Sequence, residues 1–537
     1  MKIINAYLLS KKFLLILVIA LLTTSCEKDF LEDKLLSDTS VEFLYSSPEG
    51  LESAVVGLYA LNRTIYEDNR LNGTIPLILQ AKSDLGAGIT GEVSLYSRLL
   101  WGASLGDYGT SEGLNAYWVY YYRIIDRANA VIRGAENLTD IDEDRRNQIL
   151  AEAKTMRANS YFILYRLFNN IYVTTEPTTP DNAFDLPQDK SSEEEIFQLL
   201  RSDLDFAIEH LDPKPAQFGR WSQGAARHIR AKVAMWEKDY TEAAAQADAL
   251  ITSGNHSLTA TTGEVFAGDL NHSETLFAVN FEFQTIGGGS PHILNWNMVS
   301  SYADAPGMVH SVENGGAGAG FISLNEYMID LLNEDPDDSR RNSYYIFEYR
   351  YNDETALPPG KELGDPLDLY ENHPTDQNEF MLYYRRQNPG VVKFLDATVE
   401  PTDRNHFKNI MIYRLAETYL IGAEAHMMLG NTTQALDYLN EVRERANTDP
   451  VSEISLEIIL EERARELAFE GQRWYTLKRT GKLYEYLLDH MNNDNLNESY
   501  PEGNPKELLK EYMKNWPIPQ QQIDLLGPTY PQNEGYN

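Results

Sequence analysis

One small-residue spacing occurs twice in this 537-residue chain, and it restricts the fold more than any other feature. Ala231 and Ala243 stand 12 residues apart, as do Ala423 and Ala435. Each pair straddles a short break, near Tyr240 in the first and at Gly430 in the second, between two stretches with apolar residues at helical intervals. Tetratricopeptide helix hairpins need small side chains at the two places where their paired helices approach closely. The repeat therefore predicts helical hairpins.

Other segments carry the same helical period. Leu114 to Ile132 places Tyr117, Trp118, Tyr121 and Tyr122 along one stretch, and Glu152 to Phe168 places Met156, Tyr161, Leu164 and Leu167 along another. Ser192 to Leu211 opens with a serine followed by three glutamates, a good helix start. From Gly254 to His406 the periodicity mostly fails, and Gly287, Gly288, Gly289, Pro291, Gly315, Gly316, Gly318 and Gly320 punctuate the chain. Loops, short strands and a few short helices such as Ser323 to Asn333 are expected there. The architecture so predicted is mainly α: a helical scaffold over about 110–253 and 407–515 carries a loop-rich insert over about 254–406. Binding residues concentrate on loops positioned by a rigid scaffold, so the insert is where a ligand is expected.

The N-terminus adds an address. A basic stretch ending in Lys11 and Lys12 precedes apolar residues from Phe13 to Leu22, then Thr23, Thr24, Ser25 and Cys26. Ten apolar residues are too few for the ~20 that a spanning helix needs, so residues 1–25 are expected to be a signal peptide. Cys26 is the only cysteine and sits at the expected cut, which makes it the candidate lipidated first residue of a tethered single domain, 26–537. With its thiol acylated, disulfides, thiolate catalysis and cysteine-based metal sites are excluded.

Several chemistries lack support. A net charge of −35 repels phosphate backbones and anionic lipid, which argues against nucleic acid. The ten histidines include no H-E-x-x-H pair, and Arg340 follows Asp335, Asp337 and Asp338 where a calcium loop requires glycine. There is no P-loop, so neither metal nor cofactor is expected. Gly102-Ala103-Ser104-Leu105-Gly106 matches the letters of a hydrolase nucleophile elbow. Asp107, Tyr108, Gly109 and Thr110 then follow where that elbow needs a helix start.

Four blocks resemble the SusD/RagB family of outer-membrane nutrient-binding lipoproteins: Glu152 to Asn170, Ile412 to Ala446, Glu461 to Gly481 and Trp516 to Tyr536. The resemblance implies four tetratricopeptide-like hairpins beside an irregular ligand-binding region. It also implies a protein that binds oligosaccharide without cleaving it, seated over a SusC-like TonB-dependent transporter. The acidic residues after Cys26 resemble a surface-export signal. Within the third block, Glu462, Arg463, Arg465, Glu466, Glu470 and Arg473 alternate in sign at helical spacings, which predicts side-chain pairs that hold helices in register.

A glycan needs flat apolar faces for its C–H side and amides, hydroxyls or guanidinium groups for its hydroxyls. Two loop-like regions offer that mixture: Tyr96, Arg98, Trp101 and Tyr108, and then Asn295, Trp296, Asn297 and Tyr302. The remaining tryptophans, Trp118, Trp221, Trp236, Trp474 and Trp516, lie in or beside helical patterns and are expected to pack. Two other readings stay open, an adaptor that binds protein or peptide on the concave helical face, and a glycoside hydrolase using an acidic pair.

Overall fold

A computed structural model describes residues 41–67, 79, 83–88, 112–369, 385–491, 506 and 509–536. The helices used below are α1 Pro48–Arg63, α2 Glu112–Asn137, α3 Glu143–Phe168, α4 Glu193–His210, α5 Gln223–Glu237 and α6 Tyr240–Ile251. After them come α7 Leu294–Met298, α8 Glu326–Asn333, α9 Leu415–Met428, α10 Thr432–Arg445, α11 Leu456–Leu467 and α12 Arg473–Arg479. The strands are β1 Gly86–Gly88, β2 Thr275–Val279, β3 Ile322–Leu324, β4 Tyr345–Ile346, β5 Gly390–Val391 and β6 Ile410–Arg414.

Local chemistry starts the helices where the sequence places them. The hydroxyls of Ser192, Ser222 and Ser455 accept from the backbone N–H groups of Glu195, Ala225 and Ile458, and Asp142 does the same for Arg145. Each cap satisfies a donor that the first helical turn leaves unpaired. The helices then stack in series, α2 on α3, α3 on α4, α4 on α5, α5 on α6, α6 on α9 and α9 on α10. Ala231, Ala243, Ala423 and Ala435 are fully buried at these contacts, as their spacing predicts.

The joint between α6 and α9 makes one array from two stretches of sequence. Ala243, Ala244, Ile421 and Ala425 pack together there. A Cβ on Gly422 would lie 2.8 Å from the Tyr438 ring and 3.3 Å from the Ala247 methyl, so only glycine lets the helices come this close. The fold is mainly α and tetratricopeptide-like. Trp118, Trp221, Trp474 and Trp516 are buried in its core, with Trp221 stacked on Phe277 at 3.7 Å. Among the described residues no helix is long and apolar enough to cross a membrane.

Three two-stranded antiparallel sheets, β1–β3, β2–β6 and β4–β5, each take at least one strand from the insert. The insert also contains α8, capped by Asn325, close to where the helix at Ser323 to Asn333 is expected. Buried charge ties the insert to the scaffold. Arg340 binds Asp338, Glu462 and Glu466, while Arg414 binds Glu274, Glu466 and Glu470. Lys393 donates to the Glu466 and Ala468 carbonyls and to Glu470 at 2.7–2.9 Å. The carboxylates of the alternating run therefore do more than hold helices in register, because their partners Arg340 and Lys393 come from the insert. Glu466 stays ionised well below the ordinary carboxylate range: burial opposes ionisation, but Arg445, Arg414 and Arg340 outweigh it.

Candidate functional site

Helix α7 is five residues long, and its two faces differ. Leu294, Asn295, Asn297 and Met298 point inward and are buried, whereas Trp296 is partly exposed. The Asn295 amide donates to the Gly315 carbonyl at 2.9 Å and the Asn297 amide to the Ile293 carbonyl at 2.8 Å. Tyr302 is also interior: its hydroxyl donates to the Gly316 carbonyl, accepts from the Ser311 N–H, and its ring stacks on Tyr349 at 5.0 Å. Asn295, Asn297 and Tyr302, expected at a ligand surface, are instead buried and hydrogen-bonded inward. They are turned inward to support the chain around Trp296, and Trp296 itself sits on a short helix rather than a loop.

The glycine run explains how the indole stays accessible. Residues 315–321 lie flat along α7, with the Ala319 N–H on the Trp296 carbonyl at 2.7 Å and the Phe321 N–H on the Asn297 carbonyl at 2.9 Å. A Cβ on Gly318 would fall 2.3 Å from the Ser300 oxygen, a contact no L side chain tolerates. The close approach brings the Phe321 edge against the Trp296 ring at 5.1 Å and 76°. The exposed Arg404 guanidinium stands 5.5 Å from the indole centroid, and Arg385 reaches the Ala319 carbonyl. The result is an aromatic surface bordered by guanidinium hydrogen-bond donors.

Phe321, Arg385 and Arg404 carry no signal in the sequence that marks them for a site. Phe321 ends a glycine run whose composition signals only irregular backbone. Nothing in the local sequence distinguishes Arg404.

Strand pairing relates this surface to the other predicted region. β1 pairs with β3 so that Gly88 faces Ile322, the neighbour of Phe321. Paired antiparallel residues sit about 5 Å apart, so the chain leaves β1 next to the Phe321–Trp296 contact. Tyr96, Arg98, Trp101, Tyr108 and the 102–106 motif follow, and they lie outside the described residues, as does Cys26.

A second aromatic and guanidinium pair lies between α8 and β5. Arg341 stands 4.5 Å from the Phe347 centroid and lines a groove of about 590 Å³ with Asp330, Glu348 and Gln387. Among the described residues no group of three His, Cys, Asp or Glu side chains could hold a metal ion.

Comparison with known proteins gives this geometry a family. The SusD family profile matches residues 277–536, and a second, described as starch-binding and associating with the outer membrane, matches residues 29–235. A SusD-like protein of Bacteroides ovatus is 28% identical, over 90% of this chain and 84% of its own length. SusD-like protein P25 of Formosa agariphila is 26% identical, over 93% of this chain and 94% of its own. Surface glycan-binding protein A of Bacteroides thetaiotaomicron, solved in complex with laminarihexaose, shares the fold with a TM-score of 0.68 at 20% identity, over 90% of this chain and 99% of that one. With the helical array, these matches establish that the chain belongs to the SusD family.

Proposed function

We propose that this protein captures oligosaccharide at the cell surface and passes it, uncleaved, to a SusC-like TonB-dependent transporter. Binding takes place at Trp296, Phe321 and Arg404 together with Tyr96, Arg98 and Trp101. The observation that carries the site is the β1–β3 register, which starts the segment bearing Trp101 beside Phe321. An indole bordered by guanidinium groups suits a sugar, whose C–H face stacks while its hydroxyls accept from the guanidinium donors. The laminarihexaose bound by the Bacteroides thetaiotaomicron protein makes β-glucan the first ligand to try. Cys26 supplies the lipid tether, and the outer-membrane association of the matched family suits that address.

The test uses the chain from Glu27 onward, titrated with laminarin and starch oligosaccharides by calorimetry and followed by chromatography of the sugars. Binding with unchanged chain length is expected. Trp296→Ala is expected to weaken binding tenfold or more, about 1.4 kcal/mol, with unfolding unchanged. Full affinity in Trp296→Ala combined with loss in Phe347→Ala would move the site to the groove beside α8. Co-purification of a TonB-dependent receptor with the wild-type protein, and release of a Cys26→Ala variant from the membrane fraction, test transfer and tether.

A further inference from the structure

Between α3, α5, α9, α11 and α12 lies a small cavity lined in part by Arg166, Lys232, Glu417, Arg463, Gln472 and Arg479. About 20 Å³ is open to the centre of a water-sized particle. That is room for roughly one such particle and far too little for a sugar.

Its charges do not balance. Glu417 is held by Lys232 at 2.7 Å, by Arg463 at 2.9 Å and by His228 at 3.1 Å. Arg479 is matched by Glu424, with which it makes two bonds of 2.6 and 2.7 Å. Arg166 is 1% exposed, and among the described residues it makes no ion pair. Its Nε donates to the Phe162 carbonyl at 3.1 Å, and its guanidinium carbon lies 4.1 Å from the Phe162 centroid and 3.8 Å from that of Tyr475. Nη1 of Arg166 and Nη1 of Arg463 are both buried without a hydrogen-bond partner. With Arg479 and Glu424 paired off, Arg166, Arg463 and the Lys232 amine thus share the single carboxylate of Glu417, and the two guanidinium groups alone exceed its charge.

Unmet guanidinium donors and uncompensated buried charge are costly, and native structures normally satisfy them with a partner. A water could accept the two hydrogen bonds but would leave the excess charge. A small anion answers both needs. We propose that this cavity is a binding site for a monovalent halide, chloride being the natural occupant, held by Arg166 and Arg463 within the helical scaffold. Burial together with Arg166 and Arg463 pushes the Lys232 ammonium down to about 7, against the attraction of Glu417. An anion in the cavity would restore its charge.

The test compares the wild-type chain from Glu27 with Arg166→Met, a substitution that removes the guanidinium without orphaning any carboxylate. Thermal unfolding is followed in sodium chloride and in sodium gluconate at equal ionic strength. Chloride is expected to raise the wild-type midpoint by about 2 °C or more over gluconate and to leave the variant unmoved. Crystals of the wild-type protein soaked in bromide should show an anomalous peak within about 3.5 Å of both Nη1 atoms. Equal midpoints in the two salts for the wild type, or a bromide map without that peak, would overturn the proposal.

Discussion

Arg473 holds Asp84 in a two-pronged ion pair across 389 residues of sequence, with Nε 2.9 Å from Oδ1 and Nη2 2.7 Å from Oδ2. Both side chains are buried. The Asn325 amide adds a bond to the Asp84 carbonyl at 2.7 Å, and its N–H bonds the Leu85 carbonyl. The C-terminal part of the scaffold therefore fixes the point from which β1 starts. Because β1 leads into the segment of Tyr96, Arg98 and Trp101, this distant pair sets where a proposed half of the binding site begins.

Removing Asp84 tests that anchor. Asp84→Ala leaves the Arg473 guanidinium buried without its carboxylate, and loss of one partner of such a pair costs about 3–5 kcal/mol. Urea unfolding should register that loss, and glycan affinity should fall even though no ligand contact is removed. A cost under about 1 kcal/mol would show that the pair is relieved by rearrangement.

Gly318→Ala probes the flat course of the glycine run. The added methyl would meet the Ser300 and Val299 carbonyl oxygens at 2.3 and 2.4 Å. Overpacking of this kind costs about 1–3 kcal/mol, and the shift it forces should displace Phe321 from Trp296 and weaken glycan binding. Gly57→Ala is the control, since it lies within α1 with nothing inside 4 Å of its Cβ. It should stabilise by about 0.5–1 kcal/mol and leave binding alone.

His292 gives the acid limb of the stability profile a defined slope. It is buried, its Nε2–H donates to the Lys408 carbonyl at 2.9 Å, and Nδ1 has no partner to receive a second proton's hydrogen bond. Burial, the largest cause, pushes its pKa down to about 4. The unfolded histidine titrates near 6.5. Between those values the unfolded chain binds a proton that the folded chain refuses, so stability is complete above about pH 6.5 and falls as the pH drops. The contribution is at most about 1.4 kcal/mol per pH unit. Glu417 and Glu466 are held well below 4.5, so their stabilisation persists through this window and is lost only at lower pH. Urea unfolding of His292→Gln at pH 7, 6 and 5 should show a slope shallower by about one proton than wild type. Parallel slopes would refute the assignment.

How much of this was legible follows from the range of each signal. The alanine pairs and the Ser192 cap act between residues close in sequence, so periodicity and spacing reveal them. Asp84–Arg473 and Glu274–Arg414 join residues 389 and 140 apart, and nothing local in a chain with 81 acidic residues indicates which carboxylate an arginine will find. The inward turn of Asn295, Asn297 and Tyr302 is hidden from the sequence for a related reason. Glycine-rich composition predicts irregular backbone, but it does not say which side chains turn inward, and here the amides and the phenol serve the loop's own carbonyls.

Whether Trp101 and Trp296 serve one ligand can be decided by a double-mutant cycle on glycan binding. Residues that contact the same ligand in one site lose it together, so Trp101→Ala combined with Trp296→Ala should cost less than the two single losses added. An interaction of about 0.5 kcal/mol or more would exceed what separate sites show. Two independent sites would instead leave one site at full affinity in each single variant, with a wild-type stoichiometry near two sugars per chain. Because Gly88 stands opposite Ile322, beside Phe321, a single shared site with one sugar per chain is the expected result. A wild-type stoichiometry near two, with one site untouched in each single variant, would separate the two tryptophans while leaving the β1–β3 pairing intact.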